Sequence, residues 1–322
     1  MARPVLWITR RLSDATLARA ERDYECVINW KDGLSSAGDL VEMSRHVDAI
    51  IPCHSEIFDA DTVARLDPRL RIIANHSVGV DHCDLAALHG RGITVTNTPD
   101  VLSDATAEIA MLLMLGAARR AVEGDRLVRQ GAWDFWSPSF MVGKQVTGAR
   151  LGIVGMGRVG RAFAAKARGF DMEIHYHNRT RLAEADEHGA IFHAQIESLL
   201  AQSDFLSLHC PATPETTGLM DEARIAQLPP GAILINTARG ALIDEPALIA
   251  ALKSGHLAGA GLDCFATEPG GNPEFAALDT VFMLPHIGSA TTATRDAMGF
   301  RALDNLDAFF AGKTPRDLVH SV

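Results

Sequence analysis

Three residues able to bind a carboxylate or move a proton stand near the ends of strand-like segments in the second half of the chain. Arg239 lies in "LINTARGALID", Glu268 in "LDCFATEP" and His286 in "MLPHIGSAT". Taken singly, Arg239 could be a surface charge at a turn, Glu268 an acid at a helix start, and His286 one of 13 mostly structural histidines. Ligands of open α/β sheets bind at the carboxyl ends of strands, so the three segments are expected at one crevice.

Together these residues form a set suited to reducing a 2-oxo acid. That reaction needs a cation for the carboxylate, a proton donor at the carbonyl oxygen and a hydride donor on the other side. Arg239 fits the first role by bidentate pairing. His286 fits the second because its charge changes near neutral pH. Glu268 would orient the imidazole ring and favour its protonated form.

A glycine-rich turn is the candidate for binding the hydride donor. "GIVGMGRVG" (152–160) places Gly155, Gly157 and Gly160 between the strand-like "RLGIV" and the helical "RAFAAKARGF". The glycines permit a sharp turn and bring amide N–H groups of a helix N-terminus onto a pyrophosphate. A tight strand-helix junction without a ligand is the alternative, and the context favours dinucleotide binding.

The segment after the following strand departs from the usual dinucleotide pattern. An acid about twenty residues beyond the glycines normally holds the adenosine ribose. Here "HYHNRTR" (175–181) supplies Asn178, Arg179, Thr180 and Arg181 instead. Because arginine grips a 2'-phosphate and an acid would repel it, we predict a preference for NADPH over NADH. A solvated basic loop is the alternative, and Asn178 could still bond to a ribose hydroxyl.

Short apolar runs alternate with helical patterns along both halves of the chain. The first half has "PVLWIT", "ECVINW", "DAIIPC", "LRIIAN" and "ITVTNT"; the second has "RLGIVG", "MEIHYH", "DFLSLHC", "AILINT", "GAGLDCF" and "TVFMLPH". Continuous apolarity indicates strands covered on both faces, hence parallel sheets. We therefore predict an α/β protein with two doubly wound parallel-sheet domains.

Two further segments have no strand of their own. A helix over 103–120 is followed by a tryptophan-rich arm, "GAWDFWSPSFMVGKQVTG" (131–148), and the helix is expected to be buried, with a subunit interface as one place for it. The last stretch, "TRDAMGFRALDNLDAFFAG", has helical periodicity and is expected to pack on the first domain.

Composition excludes several other classes of protein. The chain has 322 residues and a net charge of −10, which argues against a nucleic-acid surface. Its five cysteines are scattered and read as free thiols of a reducing, cytoplasmic location. The N-terminal apolar run is too short for a signal peptide, and the longest run, 109–118, is roughly half of what a bilayer requires. No metal site is predicted.

The sequence resembles the D-isomer-specific 2-hydroxyacid dehydrogenases over nearly its whole length. Matching segments are "NHSVGVDHCD", "VTNTPDVLSDATAEIAMLLML", "GIVGMGRVG", "INTARGALIDE", "GLDCFATEP" and "LPHIGSAT". Arg239, Glu268 and His286 fall where that family keeps its catalytic set. The resemblance implies a flavodoxin-like substrate domain of 1–99 plus 289–322 and a Rossmann cofactor domain of 100–288. It also implies a homodimer formed by a helix and arm at about 103–145.

Further roles are implied by the resemblance alone. Val78 and Gly79 would offer backbone N–H groups to the substrate carboxylate, Thr106 would lie near the nicotinamide, and Asp263 would bond to its carboxamide. The remaining substrate positions are Cys53, Trp136 and Ser289. The remaining cofactor positions are Arg158, Val159, Cys210, Pro211, Thr237, Ala238 and Gly288, with Arg239 and His286 also near the cofactor.

Comparison within the family narrows the substrate. The loop "IPCHSEIFDADTV" (51–63) has no Lys or Arg, which argues against a phosphorylated substrate, and Glu268 argues against the formate-oxidising branch, which has glutamine there. Trp133 and Trp136 before "SP" resemble the arm of glyoxylate and hydroxypyruvate reductases, in which a tryptophan reaches the neighbouring subunit's substrate site; plain interface packing is the alternative. Trp136 opposite Cys53 would leave room for a small, partly polar side chain. We predict a homodimeric NADPH-dependent glyoxylate/hydroxypyruvate reductase.

Two alternatives stay open. One is a broader 2-oxo acid reductase acting on larger or aromatic side chains. The other is a nucleotide-sensing corepressor-like protein, since such proteins keep the same Arg, Glu and His. The short ends of the chain and the loop at 178–181 argue against the second.

Overall fold

The computed structural model describes residues 3–320. The chain divides into two compact units: Met1–Leu102 with Ser289–Val322 form unit 1, and Ser103–Gly288 forms unit 2. The assignment of one unit to the substrate and the other to the cofactor stays a prediction.

Each unit contains one parallel sheet. The strands of unit 1 are β1 (Val5–Ile8), β2 (Glu25–Ile28), β3 (Ala49–Ile51), β4 (Ile72–Ala74) and β5 (Thr94–Thr96). Those of unit 2 are β6 (Arg150–Val154), β7 (Glu173–His177), β8 (Ile191–Phe192), β9 (Phe205–Leu208), β10 (Ala232–Asn236), β11 (Leu257–Leu262) and β12 (Val281–Met283). The sheet orders are β2-β1-β3-β4-β5 and β12-β11-β10-β9-β6-β7-β8. This confirms the predicted α/β class with two parallel sheets.

Helices connect the strands and cover the sheets. They are α1 (Asp14–Asp23), α2 (Ala37–Ser44), α3 (Ala60–Arg65), α4 (Leu85–Gly90), α5 (Ser103–Ala118), α6 (Ala121–Arg129), α7 (Arg158–Arg168), α8 (Glu184–Glu187), α9 (Ile196–Leu200), α10 (Glu222–Ile225), α11 (Glu245–Lys253) and α12 (Thr292–Phe310). Several begin at a side chain that accepts a hydrogen bond from the first turn: Ser13 before α1, Asp59 before α3, Asp244 before α11 and Thr291 before α12. Such caps satisfy amides that have no partner within the helix.

The inner strands of the unit 1 sheet are buried on both faces. Leu6 and Ile8 of β1 pack on one face with Leu303 and Leu306 of α12, so the C-terminal helix packs on this unit as its periodicity predicted. Trp7, between them, points into the core cluster on the other face. Successive strand residues point to opposite faces, which is why a continuous apolar run suits this position.

In unit 2, β6 lies inside the sheet, paired with β7 on one side and β9 on the other. The chain runs from β6 outward to β7 and β8 on one side and then crosses to β9 on the other, which makes the carboxyl end of β6 the topological switch point. Two apolar clusters cover the sheet, one containing α5 and α7 residues such as Leu113 and Phe163, the other α11 residues such as Leu248. The glycine-rich turn begins at this switch point.

The structure differs from the sequence prediction at three places. The helix predicted over 103–120 ends at Ala118, because Arg120 has a left-handed backbone (φ 55°) and α6 starts after it. The two-residue strand β8 was not predicted, since so short a segment carries no periodic signal. Strand β2 is an edge strand on which Glu25 and Val27 are exposed, so it is not covered on both faces.

None of the helices among residues 3–320 is both long and apolar enough to cross a membrane.

Candidate active site

The sheet of unit 2 brings the three catalytic candidates to one edge. Strands β10, β11 and β12 are parallel neighbours. Arg239 follows β10, Glu268 follows β11, and His286 follows β12, each after the carboxyl end of its strand. Because parallel neighbours end on the same side of a sheet, the three segments leave the sheet together.

His286 and Glu268 are hydrogen bonded to each other. The distance from Nδ1 of His286 to Oε2 of Glu268 is 2.6 Å, and the two side chains are 26% and 23% exposed. The other carboxylate oxygen, Oε1, accepts a hydrogen bond of 2.7 Å from the amide of Phe265. The carboxylate is thus fixed on one side and fixes the imidazole on the other. Proton exchange between His286 and a ligand would have to use Nε2.

Asp263 holds the backbone next to His286. Its oxygens accept hydrogen bonds from the amides of Ile287, at 2.8 Å, and Gly288, at 2.7 Å. The side chain is buried, and burial raises the pKa of its carboxyl group. Thr106 borders the same place, since a Cβ built on Gly288 would lie 3.3 Å from its Cγ2 atom. The structure therefore brings Thr106, Asp263 and Gly288 together. The carboxylate of Asp263 is bonded there to the backbone amides of residues 287 and 288.

Two glycines of the dinucleotide motif are required by close backbone contacts. Gly155 has a φ of 94°, and a Cβ there would lie 2.5 Å from the amide nitrogen of Cys210. A Cβ on Gly160 would lie 2.4 Å from the carbonyl oxygen of Gly155. Gly157 precedes α7 without a side-chain cap, and the exposed Arg158 and half-buried Val159 form its first turn. An uncapped helix N-terminus beside a glycine turn suits a phosphate.

In the loop after β7, some polar side chains bond within the protein and others are exposed to solvent. Oδ1 of Asn178 accepts a hydrogen bond of 2.7 Å from the amide of Met156, so this side chain braces the glycine-rich turn. Arg179 and Thr180 are exposed. Arg181 instead donates to both oxygens of Glu187, at 2.8 and 3.0 Å. The sequence pattern predicts that residues 179–181 all bind a phosphate; in the structure Arg181 is instead paired with an acid that lies further along the chain.

The remaining cofactor candidates lie at the ends of β9 and β10. Cys210 and Pro211 follow β9, with Cys210 against the glycine turn, and burial raises the pKa of its thiol to about 11. Thr237 and Ala238 follow β10. Oγ1 of Thr237 lies 3.4 Å from Nδ1 of His209. Burial lowers the pKa of His209 to about 3, so this histidine is neutral near pH 7.

In unit 1, the segment carrying Val78 and Gly79 is held through its carbonyl groups. Nδ2 of Asn97 donates to the carbonyl of Val78 at 2.8 Å, and Oγ of Ser77 donates to the carbonyl of Gly79 at 2.7 Å. The carbonyl of Ser77 accepts from the amide of Thr98 at 2.9 Å. With its carbonyls engaged, the segment can offer amide N–H groups to an anion.

Cys53 and Ser289 are also in unit 1, and both are half-buried. The amide of Cys53 donates to Oε2 of Glu56 at 2.8 Å, and burial raises the pKa of its thiol to about 12. The thiol is therefore protonated near pH 7 and is not a nucleophile. Glu56 is fully buried and also accepts from Oγ1 of Thr9 at 2.7 Å.

Trp136 and Trp133 are exposed by 73% and 58% in the single chain. Other large apolar side chains on α6 and the arm are exposed as well: Val122, Val128, Phe135 and Val142. We call these six residues the arm patch. Helix α6 has no buried residue, although one of its faces is apolar.

Sequence reasoning missed three residues that organise these loops. Asn236 ends β10 and is fully buried beside the Arg239 turn. Glu245 accepts from the amide of Ala266 at 2.8 Å and from Nδ2 of Asn272 at 3.1 Å, which ties down the loop that carries Glu268. Glu56 does the same for the Cys53 loop. Of these three, Asn236 alone could have been found from the sequence, because it is a polar residue at the end of the otherwise apolar strand "AILIN".

Comparison with known proteins gives a consistent result. Residues 111–288 match the family model described as "D-isomer specific 2-hydroxyacid dehydrogenase, NAD binding domain". The chain is 42% identical to a glycerate dehydrogenase from Hyphomicrobium methylovorum, covering 97% of this chain and 98% of that protein. It is 44% identical to a glyoxylate reductase from Thermococcus litoralis, covering 99% and 97%.

A solved structure shows the same similarity in three dimensions. The NADPH-dependent glyoxylate/hydroxypyruvate reductase from Sinorhizobium meliloti, in complex with NADP and malonate, superposes with a TM-score of 0.87 at 31% identity. The match covers 99% of this chain and 97% of that one.

Proposed function

The chain belongs to the D-isomer specific 2-hydroxyacid dehydrogenases, and from this premise we propose that it reduces glyoxylate or hydroxypyruvate to the D-2-hydroxy acid with NADPH. Membership in this family by itself makes the chain an oxidoreductase with an NAD(P)-binding domain. The choice of substrate and of NADPH is the proposal.

The observation that carries the proposal is the hydrogen bond between His286 and Glu268 at the sheet edge where Arg239 also lies. Arg239 holds the substrate carboxylate through its planar guanidinium. His286 donates a proton from Nε2 to the carbonyl oxygen as that oxygen gains charge. Glu268 is hydrogen bonded to Nδ1 of the histidine and keeps its ring oriented.

The residues of unit 2 fit a dinucleotide. Gly155 and Gly160 allow the glycine-rich turn to pack closely on the Cys210 backbone and on the start of α7. The Cys210, Thr237 and Asp263 positions follow neighbouring strands. We propose that these residues, with Thr106, Arg158, Val159, Pro211, Ala238 and Gly288, hold the cofactor. Bound there, NADPH supplies the hydride for the reduction.

The preference for NADPH rests on Arg179 and Thr180. Both are exposed in the loop after β7, whereas Arg181 is paired with Glu187. In this proposal Arg179 binds the 2'-phosphate, Thr180 adds a hydroxyl, and Arg181 supports the loop. The NADP complex of the Sinorhizobium meliloti reductase belongs to a relative with the same fold, which supports the choice of cofactor.

The preference for a small substrate rests on the relatives and on resemblance. Relatives named glyoxylate reductase and glycerate dehydrogenase match at 42–44% identity over nearly the full chain. Oxidation of D-glycerate at its 2-hydroxyl produces hydroxypyruvate, so both names describe one type of reaction. The roles of Val78, Gly79, Cys53, Trp136 and Ser289 toward the substrate stay predictions, as does the cytoplasmic location.

We further propose that the protein is a homodimer formed through the arm patch. Its six large apolar side chains are exposed between 39% and 73% and lie close together in sequence on α6 and the arm. Large apolar side chains exposed in this number on one segment of a single chain indicate an interface with another chain. In the dimer, Trp136 would approach the substrate bound by the neighbouring subunit.

The test is steady-state reduction of glyoxylate, hydroxypyruvate, pyruvate and phenylpyruvate with NADPH and with NADH. We expect the first two substrates and NADPH to give the highest kcat/KM. Highest kcat/KM with phenylpyruvate would replace the proposal by a reductase for larger side chains. Tight NADPH binding without turnover of any substrate would indicate a nucleotide-sensing protein, and preference for NADH would refute the role of Arg179.

A further inference from the structure

Asn236 is a fully buried amide at the point where β10 ends and the Arg239 turn begins. The strand sequence "AILIN" is buried along its whole length, and Asn236 is its only side chain with hydrogen-bonding groups. A buried polar side chain is tolerated when its donors and acceptors are bonded. The partners of this side chain therefore show what it does.

Both ends of the Asn236 amide bind the backbone of the turn. Oδ1 accepts a hydrogen bond of 2.9 Å from the amide of Ala238, and Nδ2 donates one of 2.7 Å to the carbonyl of Arg239. The two bonded peptide groups flank the Ala238–Arg239 peptide. One side chain thus fixes the main chain on both sides of the Arg239 position.

The same turn has little room to adjust elsewhere. A Cβ built on Gly240 would lie 1.9 Å from the carbonyl carbon of Phe265, so the backbone packs against the segment after β11. The main-chain carbonyl of Asn236 accepts the amide of Asp263 at 2.9 Å. Asn236 consequently joins the turn of Arg239 to the strand end that holds the His286 segment through Asp263.

We propose that Asn236 is a positioning residue for Arg239: its amide sets the direction in which the guanidinium leaves the turn, and so its alignment with the substrate carboxylate. This inference rests on the proposed function, because it assigns Arg239 to the carboxylate. A bidentate pair depends on the angle of the guanidinium plane, so a small rotation of the turn weakens it. A residue that only stabilised the fold would act independently of Arg239.

The experiment is a double-mutant cycle with Asn236→Ala and Arg239→Ala, measured on kcat/KM for glyoxylate and on the dissociation constant of malonate. We expect Asn236→Ala alone to lower kcat/KM by about 10- to 100-fold and to weaken malonate binding by about 10-fold, as for loss of hydrogen bonds that align a charged partner. In the Arg239→Ala background the same substitution should change either quantity by less than about threefold, since the guanidinium that Asn236 is proposed to position is gone. Affinity for NADPH should change by less than about threefold in Asn236→Ala.

Two further variants separate positioning from stability. Ser203→Ala removes the hydrogen bond that another fully buried side chain of unit 2 makes to a backbone carbonyl, that of Leu199 at 2.8 Å, and should lower Tm without lowering kcat/KM. Asn236→Asp keeps the size of the side chain and the acceptor for Ala238 but loses the donor to Arg239. It tests the same coupling if the alanine variant does not fold.

The outcomes distinguish the inference from the function on which it rests. Equal effects of the Asn236 substitution with and without Arg239 would overturn the inference and leave the proposed function intact. Wild-type kcat/KM and malonate affinity in Arg239→Ala would instead refute the role of Arg239 itself.

Discussion

The guanidinium of Arg181 is held by both carboxylate oxygens of Glu187, and the hydroxyl of Tyr176 donates to the same carboxylate at 2.5 Å. The hydrogen bonds from Arg181, then from Tyr176, hold the pKa of Glu187 at about 2. The loop after β7 lacks a ribose-binding acid, and its Arg181 is ordered by an acid of α8. Arg179, by contrast, is exposed on this loop, and it is the arginine that we propose binds a phosphate.

We predict that Arg179 and Arg181 have separable roles. Arg179→Ala should raise KM for NADPH by one to two orders of magnitude, on the order of 1–3 kcal/mol for a charge-assisted contact, and leave KM for NADH unchanged. Arg181→Ala should affect KM less and lower Tm more, because it leaves the buried Glu187 without its cation. Steady-state kinetics and thermal unfolding of both variants provide the measurement. Equal KM effects would contradict the division.

His286→Ala should remove most of the turnover and leave cofactor binding nearly unchanged. General acid catalysis contributes about 10²- to 10⁴-fold, so kcat is expected to fall by that factor. Fluorescence titration with NADPH gives the binding constant. His46→Ala is the matched control, since that imidazole is exposed on unit 1 and should be dispensable for both quantities. A comparable loss of NADPH affinity in His286→Ala would argue against the proton-donor role.

Trp136→Ala should raise KM for glyoxylate several-fold and leave KM for NADPH unchanged, because the tryptophan is proposed to approach the substrate and not the cofactor. Trp30→Ala serves as the control: Trp30 is also exposed, by 60%, but lies in unit 1 outside the arm patch. If the two substitutions have the same small effect, Trp136 contributes to interface packing only.

Val128→Asp should convert a dimer into a monomer. Val128 is 61% exposed within the arm patch, and a carboxylate buried without a partner would destabilise an apolar interface. Light scattering after size-exclusion chromatography should give twice the chain mass of 34.6 kDa for the wild type and one mass for the variant. Leu34→Asp, at a side chain 60% exposed in unit 1, should remain dimeric. A monomeric wild type would refute the dimer.

Stability should decrease as the pH falls below about 6.5, and His76 should account for part of the slope. Burial, followed by the nearby Arg295, lowers the pKa of His76 to about 4 in the folded chain, against about 6.5 when unfolded. Between these values the unfolded state binds the extra proton, so the contribution is complete above pH 6.5 and is lost as the pH falls toward 4. One such proton corresponds to about 1.4 kcal/mol per pH unit.

Urea unfolding of His76→Gln at pH 5 to 8 measures this contribution. The variant should show a shallower dependence of the unfolding free energy on pH than the wild type. The exposed His46 again provides the control, and His46→Gln should keep the wild-type slope. An unchanged slope in His76→Gln would exclude His76 as a source of the pH dependence.

The strands and their parallel arrangement could be predicted because the sequence signals for them are local. Continuous apolar runs such as "AILIN" indicate strands buried on both faces, and the structure confirms every such run as a parallel strand. The edge position of β2 was not predicted, since position in a sheet is set by neighbouring strands and not by the run itself. The short strand β8 was not predicted at all.

The sequence by itself determined which residues the chain could use: Arg239, Glu268 and His286 after successive strands, and glycines where α7 begins. Only the tertiary structure decided which groups these residues face. It paired His286 with Glu268, engaged Arg181 with Glu187, and placed Asn236 and Asp263 behind the loops that carry Arg239 and His286. Such partners are distant along the chain, and hydrogen bonds between them depend on angles and distances that exist only after the strands have assembled.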